Sequence, residues 1–293
     1  MAYNKMAQIY RKNFMDNIDK IVSDYNNGIT MKQLASEYKV SYQYCSEVFV
    51  KLGIKLNGRK YALNKDYFEV IDTPNKAYIL GLWYADGCNQ IRNNKTLEGK
   101  YHICISLQES DVDILNKIKN ELHCNNKLIL ANTRDSYIDG RKICKENIKN
   151  QYALHIYSKK MSLDLEKHGV IQNKSLKLKF PLSLDENLYS HFIRGYFDGD
   201  GSIYKSDCKI GWSIVSTKDF CESVKEIIES KFGIQMSIEY NCHNNGITSV
   251  LRSQNKKNIK QILDWIYDDA DLFIERKYNR YLDYFYSNNS LAA

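Results

Sequence analysis

One nine-residue pattern occurs twice in this chain. Residues 79–87 read ILGLWYADG and residues 193–201 read IRGYFDGDG. Each copy is followed by a stretch alternating polar and apolar residues, KYHICISLQ over 100–108 and KIGWSIVST over 209–217. A period of two marks a half-buried strand. Amphipathic helices are then predicted over Asp111 to Leu122 and Asp219 to Phe232. More strand-like sequence follows in each half, and both halves return to helix at matching lysine pairs, Lys159-Lys160 and Lys256-Lys257. The order helix, strand pair, helix, strand pair, helix therefore runs twice, with Phe180-Pro181 near the junction. Such a long-period duplication confines the chain to two copies of one supersecondary unit.

The repeated residues have a physical logic. Gly81 and Ala85 are four apart, as are Gly195 and Gly199, so each pair lies on one helix face. Small residues there let two helix backbones approach closely. Glycine in a helix costs about 0.5–1 kcal/mol relative to alanine, so its paired use points to packing. Gly87 and Gly201 are expected to cap the two helices. Asp86 and Asp200 then fall in the last turn, where the helix dipole disfavours negative charge. Bringing the helices side by side adds mutual repulsion. Divalent cations bridging the carboxylates would relieve both effects, and hard oxygen ligands suit Mg²⁺.

These residues resemble the two motifs of the double-motif LAGLIDADG homing endonucleases, over roughly residues 66–290. The resemblance implies an α+β fold of two pseudo-symmetric αββαββα halves with saddle-shaped antiparallel sheets. It implies a site-specific endonuclease cutting double-stranded DNA with Mg²⁺, or another divalent cation such as Mn²⁺, held by one acid per motif, Asp86 and Asp200. Basic residues assist in this family, and Lys159 and Lys256 occupy matching places for that role. Position six differs between the copies, Tyr84 against Asp198, and Asp198 is expected to be structural or outside the metal's direct ligands. The sheets would lie in the major groove, where polar side chains read base edges. Candidate contacts are Asn89, Gln90, Arg92, Asn94, His102, Ser106 and Gln108 in the first half. In the second they are Tyr204, Lys205, Lys209, Trp212, Ser216 and Arg252. Which strand face points to DNA stays open, because a one-residue slip reverses it.

Ahead of the duplication, Ile18, Ile21, Val22 and Tyr25 recur at helical spacing. Thr30 with Gln33 makes a capping box for a second helix, and Ser41 caps a third. Helix, tight turn, helix is the pattern of a small all-α helix-turn-helix. Gln43 and Tyr44 are its candidate DNA contacts, with Arg59 and Lys60 as phosphate holders. The expected domains are residues 1–60, 61–179 and 180–293.

A net charge of +7 favours an anionic partner. The eight cysteines include no C-x-x-C pair, and the adjacent pairs His123-Cys124 and Cys242-His243 do not match zinc spacing. They are read as reduced thiols of an intracellular, soluble protein without an evident targeting signal. No apolar run reaches the length of a membrane span, and the protein is expected to act as a monomer. Two other readings use the same fold: an RNA maturase assisting intron splicing, and a non-catalytic DNA-binding regulator. Retention of both acids favours the nuclease. A metabolic enzyme is disfavoured by the lack of a dinucleotide or P-loop glycine pattern.

Overall fold

The computed structural model describes residues 2–27, 29–54, 62–92, 100–131, 136–138, 141–143, 149–206, 209–243 and 247–287. Its contacts divide into two compact units, Met1–Lys60 and Tyr61–Ala293.

The first unit is helical: α1 (Ala2–Asp16), α2 (Ile18–Asn26), α3 (Met31–Glu37) and α4 (Tyr42–Lys51). Helix α1 was not foreseen in the polar opening residues. It nevertheless supplies Phe14, fully buried with Ile21, Leu34, Cys45 and Phe49. The Thr30 hydroxyl accepts from Gln33 N, and Gln33 Oε1 accepts from Thr30 N at 3.0 Å, so the capping box is complete. Ser41 caps α4 by accepting from Tyr44 N at 3.1 Å.

The second unit begins with α5 (Pro74–Ala85). Thr73 caps its start and Pro74 occupies the first turn, where a missing N–H costs nothing. Then come β1 (Gly87–Arg92), β2 (Lys100–Gln108), α6 (Val112–Glu121), β3 (Ile129–Leu130), β4 (Ser136–Ile138), β5 (Arg141–Ile143), β6 (Gln151–Ile156) and α7 (Lys159–Lys167). The second copy runs α8 (Tyr189–Asp200), β7 (Gly201–Ser206), β8 (Lys209–Thr217), α9 (Lys218–Phe232), β9 (Ser237–His243), β10 (Thr248–Ser253) and α10 (Lys256–Tyr267). It adds α11 (Glu275–Phe285), and the β4–β5 hairpin is an insertion peculiar to the first copy. Both four-stranded sheets are antiparallel and share one order, β1-β2-β6-β3 and β7-β8-β10-β9. The chain is thus α+β with two like halves.

Each sheet buries one face. Ile103, Ile105 and Leu107 of β2 point into the core with Leu154 and Ile156 of β6. Trp212 and Ile214 of β8 do the same with Leu251 of β10. Residues of opposite parity form the other face.

Helices α5 and α8 form the seam between the halves. A β-carbon on Gly81 would collide with the Phe192 carbonyl, and one on Gly195 with the Tyr78 carbonyl. The two backbones touch because neither glycine carries a side chain. Gly87 and Gly201 have another role than the expected left-handed cap. Neither has a positive φ, and each opens a strand instead. A β-carbon there would strike the ring of Trp83 or Phe197, so the ring of each helix, not the turn, demands glycine.

Candidate active site

The seam sets the positions of the two motif acids. Asp86 is the C-cap of α5 and Asp200 the last residue of α8. Both side chains keep solvent access. The protein packed around them still desolvates them. Burial and then the Asp200 charge push the Asp86 carboxyl up to about 6, and burial raises Asp200.

Two buried lysines answer that negative charge. Lys174, in a 3-10 turn after α7, donates to the Ala85 carbonyl at 2.9 Å. Lys277, on α11, donates to the carbonyls of Phe197 at 2.5 Å, Gly199 at 3.2 Å and Gly201 at 2.6 Å. Each lysine therefore satisfies carbonyls at the end of its own half's motif helix. Both ammonium charges act on Asp86 and on Asp200. Burial lowers both lysines, Lys277 to about 8.

The lysines whose charges act on the two acids are not the pair expected from the sequence. Lys159 and Lys256 head α7 and α10, with their ammonium groups over the rings of Tyr101 and Phe285 at 5.7 and 6.0 Å. The charges acting on Asp86 are instead those of Asp200, Lys277, Lys174 and Asp111. A sequence signal was available. Ile171-Gln172-Asn173-Lys174 and Ile274-Glu275-Arg276-Lys277 place a lysine three residues after an isoleucine, beyond α7 and beyond α10.

Position six of each motif ties its helix to the same segments. The Asp198 carboxylate accepts from Tyr78 Oη, Tyr267 Oη and Ile274 N at 2.8–2.9 Å. Tyr84 Oη donates to the His168 carbonyl. His168 and Ile274 lie six and three residues before Lys174 and Lys277. A further link joins the halves, since the guanidinium of Arg276 grips the Asp111 carboxylate through two nitrogens at 2.9 and 3.3 Å.

Strand register sorts the expected DNA contacts. Gln90, His102, Ser106 and Gln108 lie on the open face of the first sheet. His102 is however covered there, stacked between the rings of His155 and Tyr157 at 5.1 and 4.9 Å. Tyr204, Lys209 and Arg252 lie on the open face of the second sheet. Arg252 is paired with Glu239 there. Three expectations are overturned because the register turns the side chains inward. Asn89 is buried, donating to the carbonyls of Ser162 and Val170 at 2.9 Å each. Trp212 is fully buried and stacks on Phe197, and Ser216 is buried on the same face of the strand. Lys205 shares the inward parity of Ile203, though it is exposed at the strand end. The side chain of Arg92, together with Asn94, Arg59 and Lys60, lies outside the described residues. In the first unit Gln43 is exposed on α4, while Tyr44 packs edge-on against Phe14 beneath Arg11.

Among the described residues no helix is long and apolar enough to cross a membrane. Residues 187–267 match the LAGLIDADG-like domain family. No curated protein sequence matches the chain. Similar solved structures include the meganuclease I-SmaMI bound to DNA, at 15% identity and a TM-score of 0.46, covering 72% of this chain and 88% of that one. The I-LtrWI LAGLIDADG homing endonuclease bound to target DNA is similar at 14% identity and 0.46, covering 76% and 90%. The I-GzeII LAGLIDADG homing endonuclease in complex with its DNA target is similar at 12% and 0.47, covering 73% and 89%. The family match covers residues 187–267, and the motif and element order of that segment recur in the first half of the unit.

Proposed function

We propose that the chain is a site-specific endonuclease that hydrolyses both strands of double-stranded DNA, as its motifs suggest. The observation that carries this reading is the solvent-accessible pair Asp86 and Asp200 at two touching helix ends, each end held by a buried lysine. A purely structural pair of acids would gain nothing from such crowding.

The donor set suits a divalent cation. Two carboxylates whose charge is disfavoured by burial and by each other are hard oxygen ligands awaiting positive charge. Asp86 and Asp200 would hold such an ion, Mg²⁺ or Mn²⁺, and when bound it would supply activation of water and stabilisation of the leaving oxygen. The chain's own residues do the rest. Lys174 and Lys277 neutralise the helix ends, so that a DNA phosphate meets less negative charge than the two acids alone would present. The seam glycines fix the spacing of the acids. The open sheet faces, with Gln90, Gln108, Tyr204 and Lys209, orient the duplex across them. The helix-turn-helix would extend the footprint, and one chain carries both acids, so a monomer suffices.

The test is strand scission of DNA spanning the empty insertion site of the chain's own gene, with and without Mg²⁺, beside a gel shift. A discrete metal-dependent double-strand cut is expected. Asp86→Asn and Asp200→Asn should each lower cleavage by orders of magnitude while DNA binding survives. Full cleavage by both variants would remove these residues from the chemistry.

A further inference from the structure

We propose that Cys88, His102 and Cys104 form a zinc site on the open face of the first sheet, beside the motif acids and distinct from them. One ligand atom from each of these three side chains lies within 4.8 Å of the other two. Ligand radii of about 2.0–2.3 Å make a tetrahedral edge of roughly 3.6 Å, so side-chain rotations that part the two sulfurs and draw in the imidazole would seat one ion. Antiparallel pairing dictates the cluster. Cys88 and Cys104 are directly opposite on β1 and β2, with sulfurs 2.6 Å apart, and His102 is two residues from Cys104 on the same face. His155, opposite Cys104 on β6, meets His102 through a 2.9 Å contact between ring nitrogens. A ring held this way is oriented for metal binding by its outer partner. Solvent takes the fourth position.

The second half provides an internal comparison. Register places Ser202 where the first half has Cys88, Ser213 where it has Cys104, Gly211 where it has His102, and Arg252 where it has His155. The fold therefore requires neither thiol nor imidazole at these points. Two soft sulfurs and one imidazole together select zinc over the hard cation that suits the carboxylates. Binding displaces the two thiol protons, and Zn²⁺ with two thiolates carries no net charge toward DNA. The ion would pin β1 to β2 two residues beyond Asp86.

The test uses the full chain, purified with reductant and freed of metal. Titration with Co²⁺ should give one equivalent bound with thiolate-to-cobalt absorption. Cys88→Ala and Cys104→Ala should each abolish that band, and His102→Ala should weaken binding at least tenfold. Asp86→Asn and Asp200→Asn should keep the band at full strength, which separates this site from the carboxylate pair whatever the outcome for cleavage. One equivalent of Zn²⁺ should displace the Co²⁺ and raise the melting temperature of the wild type. Absence of the band in the reduced wild type, a band that survives Cys88→Ala, or a Cys88–Cys104 disulfide whose reduction restores no metal uptake would each overturn the proposal.

Discussion

The carboxylate of Asp86 lies so close to Gly199 that a β-carbon on that glycine would stand 2.8 Å from Oδ2. The same β-carbon would collide with the β-carbon of Ala85. One seam position thus controls both the approach of the helices and the place of an acid. Gly199→Ala should lower stability by about 1–3 kcal/mol, as overpacked cores do. It should also reduce cleavage more than that loss explains, because Asp86 must move. Gly81→Ala and Gly195→Ala would drive a methyl into backbone carbonyls that cannot yield. Their melting temperatures, read by circular dichroism, should fall further than that of Gly199→Ala. Equal melting temperatures for wild type and Gly81→Ala would show that the seam is loose.

Charge crowding at the acids makes stability depend on pH. The Asp86 carboxyl is raised to about 6, against an ordinary value of 3.8. Between these values the folded chain binds more protons than the unfolded one, so this contribution is complete below about 3.8 and lost as pH rises through about 6. Asp86→Asn keeps the size of the side chain and removes the charge. In metal-free buffer the variant should therefore melt above the wild type at pH 7, with the gap closing by about pH 4. Added Mg²⁺ should stabilise the wild type at pH 7 more than the variant. A constant gap across this range would mean that Asp86 carries no strained charge.

The duplicated motif made most of this geometry legible. Gly81 and Gly195, spaced on one helix face, gave the seam, and the acid before each final glycine gave Asp86 and Asp200. Local signals such as Thr30 with Gln33 and Thr73 with Pro74 located helix starts, because capping is settled within one turn. Position six was read as structural in Asp198, and its three hydrogen bonds show what it holds. What could not be read depended on partners distant in sequence. Strand parity left Asn89 and Trp212 among the DNA contacts, since alternation alone does not say which face helices cover. Lys174 and Lys277 were passed over because a buried lysine is recognised by the carbonyls around it, which belong to another element. The cluster of Cys88, His102 and Cys104 spans two strands, so linear zinc spacing could not find it.

The lysines divide into two classes with different expected phenotypes. Lys277 is lowered to about 8 by burial, from an ordinary 10.5. Between these values the unfolded chain binds more protons, so folding stability should rise with pH across that window. Lys277→Met should abolish that slope, destabilise the end of α8 and depress cleavage severely. Lys174→Met should act in the same direction on the end of α5. Lys159→Ala and Lys256→Ala, at exposed helix starts, should leave melting unchanged and slow cleavage only mildly. Single-turnover cleavage with a parallel binding measurement distinguishes these outcomes. Severe loss in Lys159→Ala with normal rates in Lys277→Met would reverse the assignment.

The helical unit at the start of the chain has its own core, built on Phe14, Leu34 and Phe49, and its own caps at Thr30 and Ser41. Its α4 exposes Tyr42 and Gln43 beside the half-buried Tyr44. Few basic residues lie on that helix, so its contribution should come from polar contacts more than from displaced counterions. A chain beginning at Tyr61 keeps both motif acids, both buried lysines and both sheets. It should fold and retain metal-dependent cleavage, with weaker binding and a shorter protected stretch in a footprinting assay. The salt dependence of binding should change little, because its slope counts phosphate contacts and most of those would lie on the sheets. Gln43→Ala in the full chain should weaken binding at the outer part of the site only. An unchanged footprint and affinity after truncation would mean that this unit serves a partner other than the DNA target.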